Sequence, residues 1–271
     1  MTQHLGKQPA TYDSRDFRYA DLRGQAQLPT IPGPGGGYGM DFGADGWGML
    51  GNGPDNTVFE GFQGCGDCAW AGPAHETMEA FKNADQTAPS FSGKTVVDQY
   101  AQYSGYNPQT GASDNGSNVR DVLSWRQSKG LLDDSGTAHK IGAYVALEPG
   151  NLTQLWEALY LFDVIGIGIN FPGSAMDQFN AGQMWSVVAG AKIDGGHYIP
   201  IVGHPSADVW TCITWGKRQT MTTQFLTTYC DEAWAWIDPA RYSALTGATP
   251  QGFSPEQVAT YLTVVGQAKS S

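Results

Sequence analysis

Four cysteines and five histidines are the residues in this 271-residue chain best suited to supply a nucleophile, a base or a soft metal site. A thiol attacks only as thiolate, and the positive end of a helix or a nearby imidazolium lowers its pKa. In Gln63-Gly64-Cys65-Gly66-Asp67-Cys68-Ala69-Trp70-Ala71, Cys68 stands where a glycine-rich turn enters a helical pattern. Gly64 and Gly66 leave room for a substrate backbone, and the Gln63 amide could donate to an oxyanion alongside the Cys68 N–H. Asn52 is the reserve donor.

The base must come from elsewhere in the chain. His4 lies in the leader, His139 follows a polar turn, and His75 sits two turns along the Cys68 helix, too far to reach the thiol. His204 falls in a turn past a strand. His197, freed by Gly195 and Gly196 at the mouth of an apolar strand, is the best presented. Zinc is the competing chemistry, but 17 residues separate Cys212 from Cys230, a poor spacing for a zinc knuckle. No metal and no cofactor are expected, and Cys65 reads as structural.

The elements that must position these groups change character along the chain. Ala71, Ala74, Met78 and Phe81 recur at helical spacing after Cys68, with Pro73 as an interruption. Further helices are predicted over 94–104, over 118–129 ending at Gly130, and from a cap at Asn151 with Gln154 three residues on. Then come β-rich runs at 164–171, 197–202, 210–215 and 233–237. Pro200 requires its strand to be bulged or at an edge. Helices first and strands second predict an α+β protein with segregated halves. The Gly/Pro-rich stretch from Ile31 to Gly53, with ten glycines, reads as an ordered loop docked through Trp47, Met49 or Leu50. A weak helical pattern runs from Pro255 to Val264.

Composition narrows the function classes. Hydrophobic residues at 41% supply a core, while charged residues are only 15%. The net charge is −11, and no Lys/Arg cluster stands out to meet nucleic-acid phosphates. No apolar run is long enough to span a bilayer, and the polar start lacks a signal-peptide pattern. A cytoplasmic or virion location is expected, with no membrane partner.

Taken in order, these motifs resemble the papain-like cysteine peptidases. Gln63 to Ala71 looks like their cysteine motif, Gly196-His197-Tyr198-Ile199-Pro200-Ile201-Val202-Gly203 like their histidine strand, and Trp215-Gly216 like the Trp-Gly closing the next strand. Tyr12-Asp13-Ser14-Arg15-Asp16 is similar to the segment that opens many mature domains. The resemblance covers roughly residues 8 to 237 and extends to papain-like proteins of actinobacterial viruses. It implies a two-lobed fold, with the cysteine helix in a helical lobe and the histidine strand in an antiparallel β lobe. It further implies Cys68 as nucleophile, His197 as base, Gln63 as oxyanion donor and Trp215 as a shield for the histidine. No separate inhibitory prodomain of the usual length is expected. The family's orienting Asn falls at Ile213, which cannot accept from an imidazole, and Thr214 is expected to face the other way unless a bulge turns it inward.

The division expected is an N-terminal arm and loop (1–59), a papain-like domain (60–237) and an extension (238–271). The function expected is hydrolysis of peptide or amide bonds by a Cys-His dyad on a peptide or protein substrate. The alternative is a weakly catalytic or non-catalytic structural or binding protein on the same scaffold, a virion component with protein assembly partners.

Overall fold

A computed structural model describes residues 3–25, 31, 38–39, 45–84, 86–237, 257, 260, 263 and 264. In chain order the elements are α1 (Tyr19–Gln25), β1 (Tyr38–Gly39), β2 (Asp45–Gly48), α2 (Cys68–Asn83), α3 (Gly93–Ser104) and α4 (Val119–Ser128). A two-stranded ribbon of β3 (Leu131–Leu132) and β4 (Ala138–His139) follows, then β5 (Ala143–Leu147), α5 (Leu152–Phe162), β6 (Ile165–Pro172) and α6 (Gly173–Asn180). The chain continues through β7 (Ile193–Ser206), β8 (Val209–Thr214), β9 (Gly216–Thr222), α7 (Thr223–Tyr229) and β10 (Cys230–Ile237). This is the two-lobed α+β arrangement expected. The large sheet has the order β2-β9-β8-β7-β6-β10-β5, its pairings are antiparallel, and β1 pairs with the far end of β7.

Local chemistry explains the helix ends. Ser92, Asn118 and Asn151 each accept a backbone N–H three residues on, satisfying a donor the helix cannot. Gly105 closes α3 and Gly130 follows α4, both at positive φ. Pro73 does not break α2, which runs unbroken through Asn83.

Alternation along the strands divides the core in two. On β10, Trp234 and Trp236 face the helices α2, α3 and α4, while Ala233, Ala235 and Ile237 face a second cluster with α5 and α7. On β7, Tyr198 and Val202 belong to the first cluster, Ile199 and Ile201 to the second. Pro200 sits on an interior strand, in register with Gly166 of β6. Its irregularity is taken up on the β8 side, where the register shifts between Ile201 and Gly203.

The glycine-rich stretch differs from expectation. It holds regular structure where described, because β2 pairs with Lys217 and Gly216 of β9, helped by positive φ at Gly46 and Gly48. Trp47 and Leu50 are buried and Met49 is half-buried, so the docking contacts are as expected. Residues 32–37 and 40–44 lie outside the described residues, as does most of 238–271. Gln257, Thr260, Thr263 and Val264 are helical, and Val264 packs on the second cluster.

A buried polar network ties the two lobes together. Glu76 of α2 pairs with Arg126 of α4 and accepts from the Tyr198 hydroxyl of β7 at 2.7 Å. Arg126 also lies over the Trp236 ring. Removing one partner strands a buried charge, so Arg126→Ala is expected to cost about 3–5 kcal/mol in a urea titration. Glu76→Leu/Arg126→Met together should cost much less, and equal losses would show that packing, not charge, is at stake.

Candidate active site

Cys68 is the first residue of α2, so its N–H is one of the helix's unpaired donors and its side chain sits at the positive end. Its sulfur accepts the Tyr198 N–H at 3.4 Å. Glycine sets how close the lobes come: a Cβ on Gly72 would lie 2.7 Å from the Tyr198 ring. Cys68 and His197 therefore line one cavity, together with Met49, Asn52, Ala71, Gly72, His75, Tyr198, Ile213, Thr214 and Trp215.

The imidazole is held from two sides. Nε2 of His197 lies 2.8 Å from the Thr214 hydroxyl, and Nδ1 is buried with no hydrogen-bond partner among the described residues. The Trp215 ring stacks on it at 4.4 Å between centroids and 12° between planes, and Phe171 meets it edge-on. The expectation that Thr214 turns away is corrected. His197 lies against Phe171 and Trp215, both in the second cluster, and along β8 the residues Trp210 and Cys212 also belong there. Regular alternation brings Thr214 to that side and sends Ile213 to the other, so no bulge is needed.

The turn after Thr214 completes the arrangement. Thr214 pairs with Lys217, leaving Trp215 and Gly216 as a two-residue hairpin loop with φ of 45° and 73°. Both central residues at positive φ is the signature of the mirror-image turn that suits twisted strands. A bulky residue held there is strained, and such strain concentrates at functional sites.

Two other sequence-assigned residues sit differently from expectation. Gln63 is exposed, its amide donates to the Gly61 carbonyl at 2.8 Å, and it is absent from the cavity lining. Asn52 lines the cavity instead, with its amide on the Cys65 carbonyl at 3.1 Å. His75 also reaches the cavity, although its Nε2 is engaged by the Trp47 and Gly48 carbonyls. His204 lies within β7, stacked on Trp210, not in a turn. All four cysteines are free thiols. Among the described residues no group of three or more His, Cys, Asp or Glu is placed to hold a metal, and no helix is long and apolar enough to cross a membrane.

Burial sets the charge states. It pushes the Cys68 thiol up to about 12 and the His197 imidazole down to about 3, so both are neutral near pH 7. The chain's own segment His4–Gln8 bridges residues of both lobes beside this site. His4 N–H donates to the Asn52 carbonyl (3.3 Å), Lys7 N–H to Gly196 (3.0 Å) and Gln8 N–H to Ser117 (3.0 Å), while the Gly6 carbonyl accepts from Ser117 N–H (2.8 Å). Ser117 is itself fixed by the Trp70 indole N–H. Nothing in the residue spacing marked Ser117 or this segment.

No family model matches the chain, and no curated protein matches it. Solved structures do. Xylellain, a cysteine protease from Xylella fastidiosa, superposes with a TM-score of 0.54 over 87% of this chain and 96% of that one, at 13% identity. Digestive procathepsin L 3 of the Tenebrio molitor larval midgut gives 0.51 over 82% and 76%, also at 13% identity. The fold is papain-like. At such identity the likeness is one of fold, and what this papain-like chain does must be argued from its own cleft.

The buried His75 gives a pH signature. Burial lowers its pKa from 6.5 to about 4, so below pH 6.5 the unfolded chain takes up a proton that the native chain refuses. Its contribution to stability is present above pH 6.5 and is lost as pH falls towards 4, on the order of 3 kcal/mol in all. His75→Gln should flatten that part of the acid limb. Urea midpoints of both proteins at pH 7 and 4.5 check this, since the opposite-signed contribution of Glu79, raised to about 8 by burial, is common to both. An unchanged pH dependence would refute it.

Proposed function

We propose that the protein is a cysteine hydrolase of peptide or amide bonds, with Cys68 as nucleophile, His197 as base and Thr214 as orienter. The observation that carries this reading is the division of labour on one imidazole. Nε2 is tied to Thr214, and Nδ1 is left without a partner in the cavity it shares with Cys68. With the proton on Nε2 and donated to the Thr214 hydroxyl, the Nδ1 lone pair is free to take a proton from the thiol.

The proposed steps are these. Nδ1 accepts the Sγ proton, and the helix N-terminus favours the thiolate. Sulfur attacks the substrate carbonyl, whose oxygen gains the charge. The Cys68 N–H is one donor for that oxyanion, and Asn52 is better placed than Gln63 as the other. His197 passes its proton to the leaving amine, which departs. Water, deprotonated by the same nitrogen, then cleaves the thioester and restores the thiol. Trp215 covers the imidazole throughout and keeps bulk water from competing for its protons.

The second reading is a binding or structural protein on this scaffold, including a virion part. It draws on the neutral, covered thiol. An active-site electrophile and a peptide-hydrolysis assay separate the two. Cys68→Ala should abolish both labelling and turnover. Thr214→Val should leave Cys68 in place yet lower kcat by roughly 10-fold or more, through loss of the tautomer lock. Gln63→Ala should stay within about threefold of wild type, whereas loss of a true oxyanion donor costs about 100-fold or more. Absence of turnover in a wild type whose Cys68 is labelled by the electrophile would sink the hydrolase reading.

A further inference from the structure

The proposed oxyanion donor is held by a chain of contacts that begins outside the cleft. Asn52 is buried, and its Nδ2 donates one hydrogen to the Cys65 carbonyl at 3.1 Å. In return the Cys65 N–H donates to the Gly51 carbonyl at 2.9 Å. Two bonds to Cys65 thus clamp the loop that carries Asn52. Turned over, the amide would set its own oxygen against the Cys65 oxygen, two acceptors face to face. That carbonyl therefore decides which end of the amide is nitrogen. Nδ2 keeps a second hydrogen, and Asn52 lines the cavity it shares with Cys68.

The same peptide is gripped at its other end. A trans peptide points the Cys65 carbonyl and the Gly66 N–H in opposite directions. Asp114 takes that N–H with both carboxylate oxygens, each at 3.0 Å. A Cβ on Gly66 would lie 3.0 Å from Asp114 Oδ1, so the missing side chain lets the carboxylate come this close. Hydrogen bonds to a charged acceptor are the stronger kind. A peptide polarised at its N–H also presents a better acceptor at its carbonyl.

Asp114 is fixed in turn from the helical lobe. The hydroxyl of Tyr100, a buried residue of α3, donates to Oδ1 at 2.7 Å and accepts the Gly116 N–H at 2.9 Å. Asp67 is the rival acceptor for the second Nδ2 hydrogen. Both its oxygens are buried without a hydrogen-bond partner among the described residues. Burial holds its carboxyl well above the usual carboxylate range, against the pull of the Asn52 side chain. A neutral carboxyl competes weakly for a donor.

We propose that Asp114 is a positioning residue for the oxyanion donor. It fixes the Cys65–Gly66 peptide, and the carbonyl of that peptide holds the Asn52 amide with one N–H turned to the substrate oxygen. What that N–H does for a substrate rests on the hydrolase reading; how the amide is held does not.

Two readouts test this, one of them independent of turnover. The first is hydrogen exchange of the Asn52 side-chain amide, followed by NMR. Asp114→Ala should speed it at least about tenfold, and Asp114→Asn, which keeps an acceptor for Gly66, should stay within about threefold of wild type. The second compares a tripeptide aldehyde, whose adduct with Cys68 puts an oxygen where the oxyanion would be, with iodoacetamide, whose alkylation of sulfur puts none there. Asp114→Ala should weaken the aldehyde at least about tenfold and change the iodoacetamide rate less than about threefold. In an Asn52→Ala background, Asp114→Ala should weaken the aldehyde no further. Should Asp114→Ala not fold by circular dichroism, Tyr100→Phe takes its place, since it removes the hydroxyl that holds Asp114. Unchanged exchange overturns the inference. So do equal losses with both probes, which mark a general loosening of the site, and additive losses in the double variant, which mark a role apart from Asn52. Raised exchange in a protein that neither binds the aldehyde nor cleaves peptides leaves the link standing and removes the hydrolase. Turnover with unchanged exchange does the reverse.

Discussion

Everything at the site depends on how closely the start of α2 approaches β7. That approach is a matter of missing atoms: Gly72 has no side chain, and the Tyr198 ring fills the space, with its hydroxyl also passing over Gly166. The same tyrosine contributes its backbone N–H to the Cys68 sulfur and its hydroxyl to Glu76. One residue thus fixes the distance between the lobes, the position of the thiol and the charge network behind it. The cost is a buried ion pair, which interiors tolerate only when every group is well placed.

The imidazole is positioned by a different economy. No long polar side chain reaches for it. A hydroxyl at a strand end, a stacked indole in the following turn and a phenyl edge confine the ring. Confinement among aromatics lowers the tendency of His197 to take a proton, and exclusion of water raises that of Cys68 to keep one. Cys68 and His197 therefore form a neutral pair, and an ion pair here would need solvation that this burial withholds.

Much of this was legible in the residues. The Cys68 helix, the cap at Asn151 and the apolar runs of β6, β7 and β8 follow from short-range pattern, and so did the fold class. What was not legible depended on backbone conformation or long-range pairing. Spacing marked Gln63 as a donor, but positive φ at Gly61 and Gly64 carries that loop so that Gln63 faces solvent. Parity counted from an assumed inward-facing Ile213 mislaid Thr214, because nothing in the sequence states which cluster His197 faces. The strand β9 and the helix α6 have too little apolar periodicity to stand out: α6 buries only Ala175. The partners of Lys7 are 224 and 225 positions away, beyond any local pattern.

Lys7 and its carboxylate partners Asp231 and Glu232 lie far apart in the chain. Residues 4–8 leave the ribosome before β7 and β10, the strands they meet. Their contacts can close only once those strands exist, so the order of synthesis makes the earliest described segment one of the last to be fixed in place.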